Sequence, residues 1–390
     1  MSKTMFKNCS SLAGNIVTPD GTFYGEISWD AGQITRIRRT GDVRPGTDWI
    51  LAGFIDVHFH GLGAYSAEKP DQIEKLAEFA PETGVTTICP ALASAPREKT
   101  LQILTVIRDA SRKEPAGAKI AGTHLEGPYL SYEFRGGMAP DQIRMPDPEE
   151  MEAFLAAGED TVKIVTISPE LPGALDMIRD LNARGITVSS GHSACPPAMY
   201  EDAVSAGVTQ FCHLYDAYAD STTDSGVRQP ALTDLALIDD RVMKEIIMDG
   251  LHVPPELIHL ARRAAGAEHI IAITDAMQGA GLKYGRFCDG NEWYIIREGE
   301  LARRESDNAI VGSSLSMNLA FFNMTERFGF SPSEATLSLS ANPAKALHLD
   351  DRTGRLQTGF AADITVLDQD RKTVKATFVN GNCVFDHTAV

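Results

Sequence analysis

No stretch of the 390-residue sequence approaches the roughly 18–20 consecutive apolar residues that cross a bilayer, which excludes a transmembrane helix. The N-terminal segment MSKTMFKNCSSLAGNIV interrupts its apolar residues with Lys7, Asn8, Ser10 and Ser11 before a signal-peptide core could form, so nothing indicates export. Cysteine is sparse: Cys9, Cys89, Cys195, Cys212, Cys288 and Cys383 make no CxxC pair and no dense framework, which reads as reduced thiols in a cytoplasmic protein. Positive charge is in deficit, 36 Lys and Arg against 53 Asp and Glu, and the net charge of -17 argues against nucleic acid or an anionic membrane as partner. Internal repeats and low-complexity segments are also missing. What remains, 43% hydrophobic and 23% charged, is an ordinary folded protein long enough to bury a large core.

Between Phe54 and Met277 eight short apolar runs recur, most followed by a segment with helical spacing. They are FIDVHFH from Phe54, TTICPAL from Thr86, KIAGTHLEG from Lys119, VKIVTIS from Val162, ITVSSGHS from Ile186, VTQFCHL from Val208, KEIIMDGLH from Lys244 and IIAITDA from Ile270. Such runs without strict alternation suit strands buried on both faces of a parallel sheet, and eight in βα alternation predict an α/β fold of the TIM-type (β/α)8 barrel class. An open doubly wound sheet is the structural alternative. Both chain ends instead read as strands and tight turns, with Pro19-Asp20-Gly21 near the start and Asn380-Gly381 near the end. Residues 1–52 and 357–390 are therefore expected to pair into one small β domain, with the barrel over 53–356, a β-like insertion around 282–310, and helices near Ser314 to Phe328 and Pro332 to Ser340.

Of ten histidines, His58, His60, His124, His192 and His213 fall at or just beyond the C-terminal ends of these strands, and His252 follows the seventh. That rim is where a barrel of this kind builds its active site. Glu126 lies on the same rim and Asp275 ends the eighth strand. Imidazole and carboxylate together hold a divalent metal with a position left open for water. One HxH on a strand is weak, since alternation puts both rings on one face in many proteins. Several separate strand ends that each offer a ligand are not explained by core histidines. His259, His269, His348 and His387, within or beside helices or near the terminus, are read as surface or packing residues.

With GFIDVHFHG, THLEGPYLS, SGHS, CHLYDA, DGLHV, TDAM and VGSSLSM in this order, the chain resembles the amidohydrolase superfamily and, within it, the N-acetylglucosamine-6-phosphate deacetylase family. The resemblance implies a barrel with a β domain made from both termini, a homodimer, and one or two divalent metals per chain, zinc first, with iron, manganese and cobalt equally compatible with the donors. It implies that Glu126, His192 and His213 hold the principal metal and that His58 and His60 support a second. Asp275 would be the catalytic carboxylate that takes a proton from water and returns it to the leaving amine. His252 would contact the substrate and polarise its carbonyl, and His124 would support the site from behind.

Two departures bear on the small-molecule substrate. Met138 stands twelve residues after Glu126, where the family carries a histidine that contacts the sugar phosphate. HLYDAY puts Asp216, beside Ala217, where the family's asparagine region helps hold that phosphate, and a carboxylate there repels a dianion unless paired or turned away. Arg228, in the stretch ADSTTDSGVRQP, is expected to replace the arginine that reaches a partner subunit's phosphate pocket, and Arg135 is another anion contact to consider. The first expectation is thus deacetylation of an N-acetylated amino sugar, N-acetylglucosamine-6-phosphate foremost. An unphosphorylated or differently charged N-acyl compound or cyclic amide is the alternative. A non-catalytic metal-binding protein is a third reading, against which Asp275 argues, because a structural metal site has no use for a proton shuttle.

Overall fold

The computed structural model describes Phe6 and residues 9–289 and 292–387. Its centre is a curled parallel sheet of eight barrel strands. The first is Phe54–Asp56; the second is split into Val85–Ile88 and Ala91–Ala93, the third into Lys119–Ile120 and Thr123–Glu126. Val162–Ile167, Thr187–Ser190, Val208–Phe211, Met243–Ile247 and Ile270–Ile273 complete it. The split is chemical: Pro90 has no N–H for the ladder, and its carbonyl accepts from both His124 N and the Thr123 hydroxyl, at 3.0 and 2.9 Å. The barrel closes just past the strand ends, where Asp275 N donates to His58 O at 2.9 Å and His60 N to Ala276 O at 2.7 Å. The same contacts that seal the sheet therefore bring the first and last sequence motifs together.

The barrel interior changes character along its axis. Its lower part is apolar, packed with Ile55, Val57, Ile164, Ile247, Ile271 and Ile273 and plugged by Ala344, Ala346 and Leu347. At about 1.5–3 kcal/mol for each fully buried aliphatic chain, this plug fixes the strands whose upper ends are polar. The plug comes from a helix that the sequence reading stops short of. Pro332–Thr336 runs through a wide π turn, Leu337–Ala341, into Asn342–Ala346. Pro343 looks like a helix breaker but sits in the first turn of that last piece, where its missing N–H costs nothing. Asn342 anchors it by donating to Ala267 O and Ile270 O at 2.8 and 2.7 Å.

Beside the barrel lies a seven-stranded sheet in the order Asn382–Asp386, Val374–Val379, Ile364–Leu367, Trp49–Ala52, Ser11–Thr18, Gly21–Asp30, Gln33–Gly41, so strands from both ends of the chain share it. The expected terminal segments also include residues 1–5, 7–8 and 388–390, which lie outside the described residues. The turn between the last two strands has Asn380 at φ 49° and Gly381 at φ 74°, the paired left-handed conformation that a two-residue hairpin needs. Asp363 ties the sheet to the barrel, accepting from Lys119 Nζ at 2.7 Å and from Thr353 Oγ1 at 2.7 Å. After the eighth barrel strand, Tyr284–Asp289, Glu292–Arg297, Ala302–Arg304 and Ile310–Gly312 form a four-stranded antiparallel sheet that stands over one side of the barrel mouth. Among the described residues no helix is long and apolar enough to cross a membrane.

Candidate metal centre and active-site cavity

The strand ends bring His58, His60, Glu126, His192, His213 and Asp275 into one buried group. Glu126 is its hub. Its Oε1 lies 3.0 Å from His192 Nε2 and 3.0 Å from His213 Nε2, and those two nitrogens are 3.1 Å apart. Its contacts continue to His58 Nε2 at 3.4 Å through Oε1 and to His60 Nε2 at 3.3 Å through Oε2. Asp275 Oδ1 lies 3.2 Å from His60 Nε2 and 3.7 Å from His58 Nε2.

Holding these groups together strains the backbone. His192, His213 and Asp275 all take positive φ, 49°, 22° and 48°, a region that ordinary side chains occupy at a cost of about 1–3 kcal/mol each and that concentrates at functional sites. Gly191 makes the approach possible: a Cβ there would lie 2.5 Å from Cys212 Cβ and 2.7 Å from Thr166 Cγ2. The glycine of SGHS thus lets the fifth and sixth strand ends meet beneath the site.

The donor set fits a cation. His192 Nδ1 lies 2.8 Å from Phe134 O and His213 Nδ1 3.2 Å from Asp216 O. Each ring spends its proton on a carbonyl, which leaves both Nε2 lone pairs facing each other and a carboxylate oxygen. Three acceptors about 3 Å apart cannot satisfy one another, whereas one ion bound by all three does. His58 Nε2 and His60 Nδ1 are likewise buried without a hydrogen-bond partner.

Electrostatics agree. Burial opposes ionisation of Glu126, yet the charge of His58, with the adjoining rings of His192 and His213, holds its carboxyl well below the usual range. Burial likewise opposes charge on His60, but hydrogen bonds to Asp275 and Glu126 outweigh it and lift its pKa to about 10. Asp275 stays below the ordinary carboxylate range because its hydrogen bond with His60 and the charges of His58 and His60 overcome desolvation. The pattern is that of a negative basin that attracts protons when no metal neutralises it.

His124 is spent differently. Its Nδ1 lies 3.1 Å from Val57 O and its Nε2 2.7 Å from Thr166 Oγ1, while burial, with the charge of His58, pushes its pKa down to about 4. It is a neutral ring packed 4.7 Å from the His58 ring. His252 follows the seventh strand with its side chain only 2% exposed and Nδ1 2.6 Å from Asp249 Oδ2. Its Nε2 has no partner, and the residue lies behind the cavity wall instead of lining it.

The cavity above the group has a volume of about 790 Å³. His60, Glu126, His192, His213 and Asp275 form its floor, and Met138, Asp216 and Ala217 stand on its wall. Arg228 does not: it sits exposed on a hairpin of Thr223–Asp224 and Val227–Arg228. Arg135 stacks over Tyr132, 4.4 Å from the ring centroid. Tyr294, Glu292 and Arg304 of the inserted sheet also line the cavity, with Lys99 opposite. Sequence reasoning missed all four; Tyr294, Glu292 and Arg304 reach the barrel mouth only through the folded insertion. It also missed Glu245, fully buried beneath His58. The signal was present: Met243, Glu245 and Ile247 share one face of the seventh strand, and both apolar neighbours point into the barrel.

Comparison with known proteins matches residues 49–384 to the Amidohydrolase family. The chain is 32% identical over 321 residues to the N-acetylgalactosamine-6-phosphate deacetylase of Escherichia coli O157:H7, covering 82% of this chain and 83% of that protein. It is 31% identical over 348 residues to the N-acetylglucosamine-6-phosphate deacetylase of Bacillus subtilis, covering 87% and 86%. Among solved structures, the N-acetyl-D-glucosamine-6-phosphate deacetylase of Mycobacterium smegmatis, as a variant in complex with N-acetyl-D-glucosamine-6-phosphate, superposes with a TM-score of 0.86 at 29% identity over 96% of this chain and 98% of that one.

Proposed function

The chain belongs to the amidohydrolase family, and on that premise we propose that it is a metal-dependent deacetylase of an N-acetylated amino sugar, with N-acetylglucosamine-6-phosphate as the first substrate. The observation that carries this reading is the triangle of Glu126 Oε1, His192 Nε2 and His213 Nε2 with sides of 3.0, 3.0 and 3.1 Å, beside an ionised Asp275 at the floor of a sugar-sized cavity. In this reading Glu126, His192 and His213 hold the principal divalent ion. His58 and His60, with Glu126 and Asp275 between them, hold a second. Zinc suits these nitrogen and oxygen donors, as do iron, manganese and cobalt.

A bound divalent ion supplies Lewis acidity, which lowers the pKa of water and polarises the acetyl carbonyl. The chain's own groups do the rest. Asp275 is a base at neutral pH, because its neighbours keep it ionised despite burial. It takes the proton of the attacking water and delivers it to the nitrogen as the C–N bond breaks, leaving acetate and a free amine. Burial opposes charge on His252, but its hydrogen bond with Asp249 through Nδ1 raises its pKa, so it is assigned as a protonated ring that donates from Nε2 to the acetyl oxygen.

Met138, Asp216 and the state of the cationic residues favour a second reading for the distal end of the substrate. Lys99 is paired with Glu68 at 2.8 Å, and Arg304 with Glu292 at 2.6 Å and Asp307 at 2.7 Å. Cations already partnered attract a phosphate dianion less than free ones. An amino sugar without the phosphate, or another N-acyl compound, is the alternative substrate. A homodimer also belongs to the proposal, supported by the exposure of Arg228 away from its own cavity. A cytoplasmic location is supported by six dispersed free cysteines. Acetate release from N-acetylglucosamine-6-phosphate by the metal-loaded protein, abolished by a chelator, tests the function. Failure of every acetylated amino sugar to react while metal is bound would overturn it.

A further inference from the structure

Glu245 is 0% exposed, and among the described residues no Lys or Arg forms an ion pair with it. Its carboxylate is nevertheless fully engaged. Oε2 lies 3.0 Å from His58 Nδ1 and accepts from His213 N at 3.3 Å, while Oε1 accepts from Gln210 Nε2 at 2.7 Å. Both oxygens accept from N–H donors, as an ionised carboxylate does, and such a group donates none, so the proton between it and His58 belongs to Nδ1. That fixes the tautomer. The other nitrogen, Nε2, then presents its lone pair 3.4 Å from Glu126 Oε1 and 3.7 Å from Asp275 Oδ1, buried and without a hydrogen-bond partner.

We propose that Glu245 is the positioning residue of a two-ion centre: it holds His58 with Nε2 turned toward Glu126 and Asp275, where a second divalent ion would bind. This rests on the metal-dependent reading above. Through the His213 amide the same carboxylate also braces the turn that carries a ligand of the first ion, so the two sites share one support.

The test is metal content and affinity of the full chain, stripped and reloaded with zinc or cobalt. The wild type should bind two ions. Glu245→Gln should bind the second ion about 10–100-fold more weakly, as loss of an outer carboxylate on a ligating histidine does, with a smaller loss at the first, and Glu245→Asp should recover part of the loss. Nitrogen-15 spectra of the zinc-loaded wild type, which do not depend on any variant folding, should find His58 protonated at Nδ1 and metal-bound at Nε2. One ion per wild-type chain, Nδ1 coordination of His58, or an unaltered second site in Glu245→Gln overturns the proposal while leaving the one-metal deacetylase intact. Absence of any bound ion would instead overturn the reading on which it rests.

Discussion

His192 Nε2 and His213 Nε2 lie 3.1 Å apart although neither carries the proton that would let them hydrogen-bond, since each ring's Nδ1 is turned to a backbone carbonyl. Only a cation reconciles them with Glu126. Replacing His192 with Ala should therefore empty the principal site, while His58→Ala should affect chiefly the second ion. Elemental analysis of the two purified variants checks this; an undiminished first ion in His192→Ala would refute the ligand assignment.

The clustering of these residues was legible in the sequence because a barrel strand ends abruptly. Apolar runs such as ITVSSGHS and VTQFCHL leave the core at their last residues, so a histidine there faces the rim, and the eightfold spacing identifies which rim. Glu245 was not legible in the same way, because it lies mid-strand in KEIIMDG, where a buried acid is told from an outward one only by knowing which face points inward. Tyr294 and Arg304 were hidden for another reason. Their place depends on how the insertion after the last barrel strand folds back, and no local pattern encodes that. The expected helix from Pro332 ended at Ser340, short of Asn342–Ala346, whose Pro343 is tolerated because it sits in a first turn.

Asp275 lines the cavity 3.2 Å from His60 Nε2. In Asp275→Asn the amide cannot accept and return a proton, so turnover should fall by about 100-fold to 10,000-fold while the ion held by Glu126, His192 and His213 remains. Steady-state rates paired with metal analysis decide it. Near-normal turnover would move the general base elsewhere.

His60 gives a pH test whose sign is fixed. Its pKa in the metal-free fold, about 10 against an ordinary 6.5, means that protonated His60 stabilises the metal-free protein fully below about pH 6.5 and that this contribution is lost as pH rises through about 10. The metal-free protein should therefore melt at a lower temperature at pH 10 than at pH 7. At pH 8 an ion that takes His60 as ligand must displace its proton, so metal binding should release protons and strengthen with pH. Calorimetry in two buffers of different protonation enthalpy measures the release, and identical heats in both would contradict it.

Preference at the distal end of the substrate is testable at Asp216, which lines the cavity beside Ala217 while its own carbonyl lies 3.2 Å from His213 Nδ1. That backbone contact fixes the turn, which keeps Asp216 on the cavity wall. Met138, on the same wall, offers no charge to offset it. A panel of N-acetylglucosamine-6-phosphate, its unphosphorylated form, N-acetylgalactosamine-6-phosphate and simple N-acyl amines should accordingly show a weak preference for phosphate. Asp216→Asn removes the like charge and keeps the side-chain volume, so it should raise kcat/KM for the phosphorylated sugars severalfold and leave the unphosphorylated one nearly unchanged. If the wild type instead strongly prefers the 6-phosphate and Asp216→Asn changes nothing, the phosphate is held beyond reach of Asp216. The paired cations Lys99 and Arg304 would then be the groups to replace next, because a dianion that binds well must have drawn at least one of them away from its carboxylate.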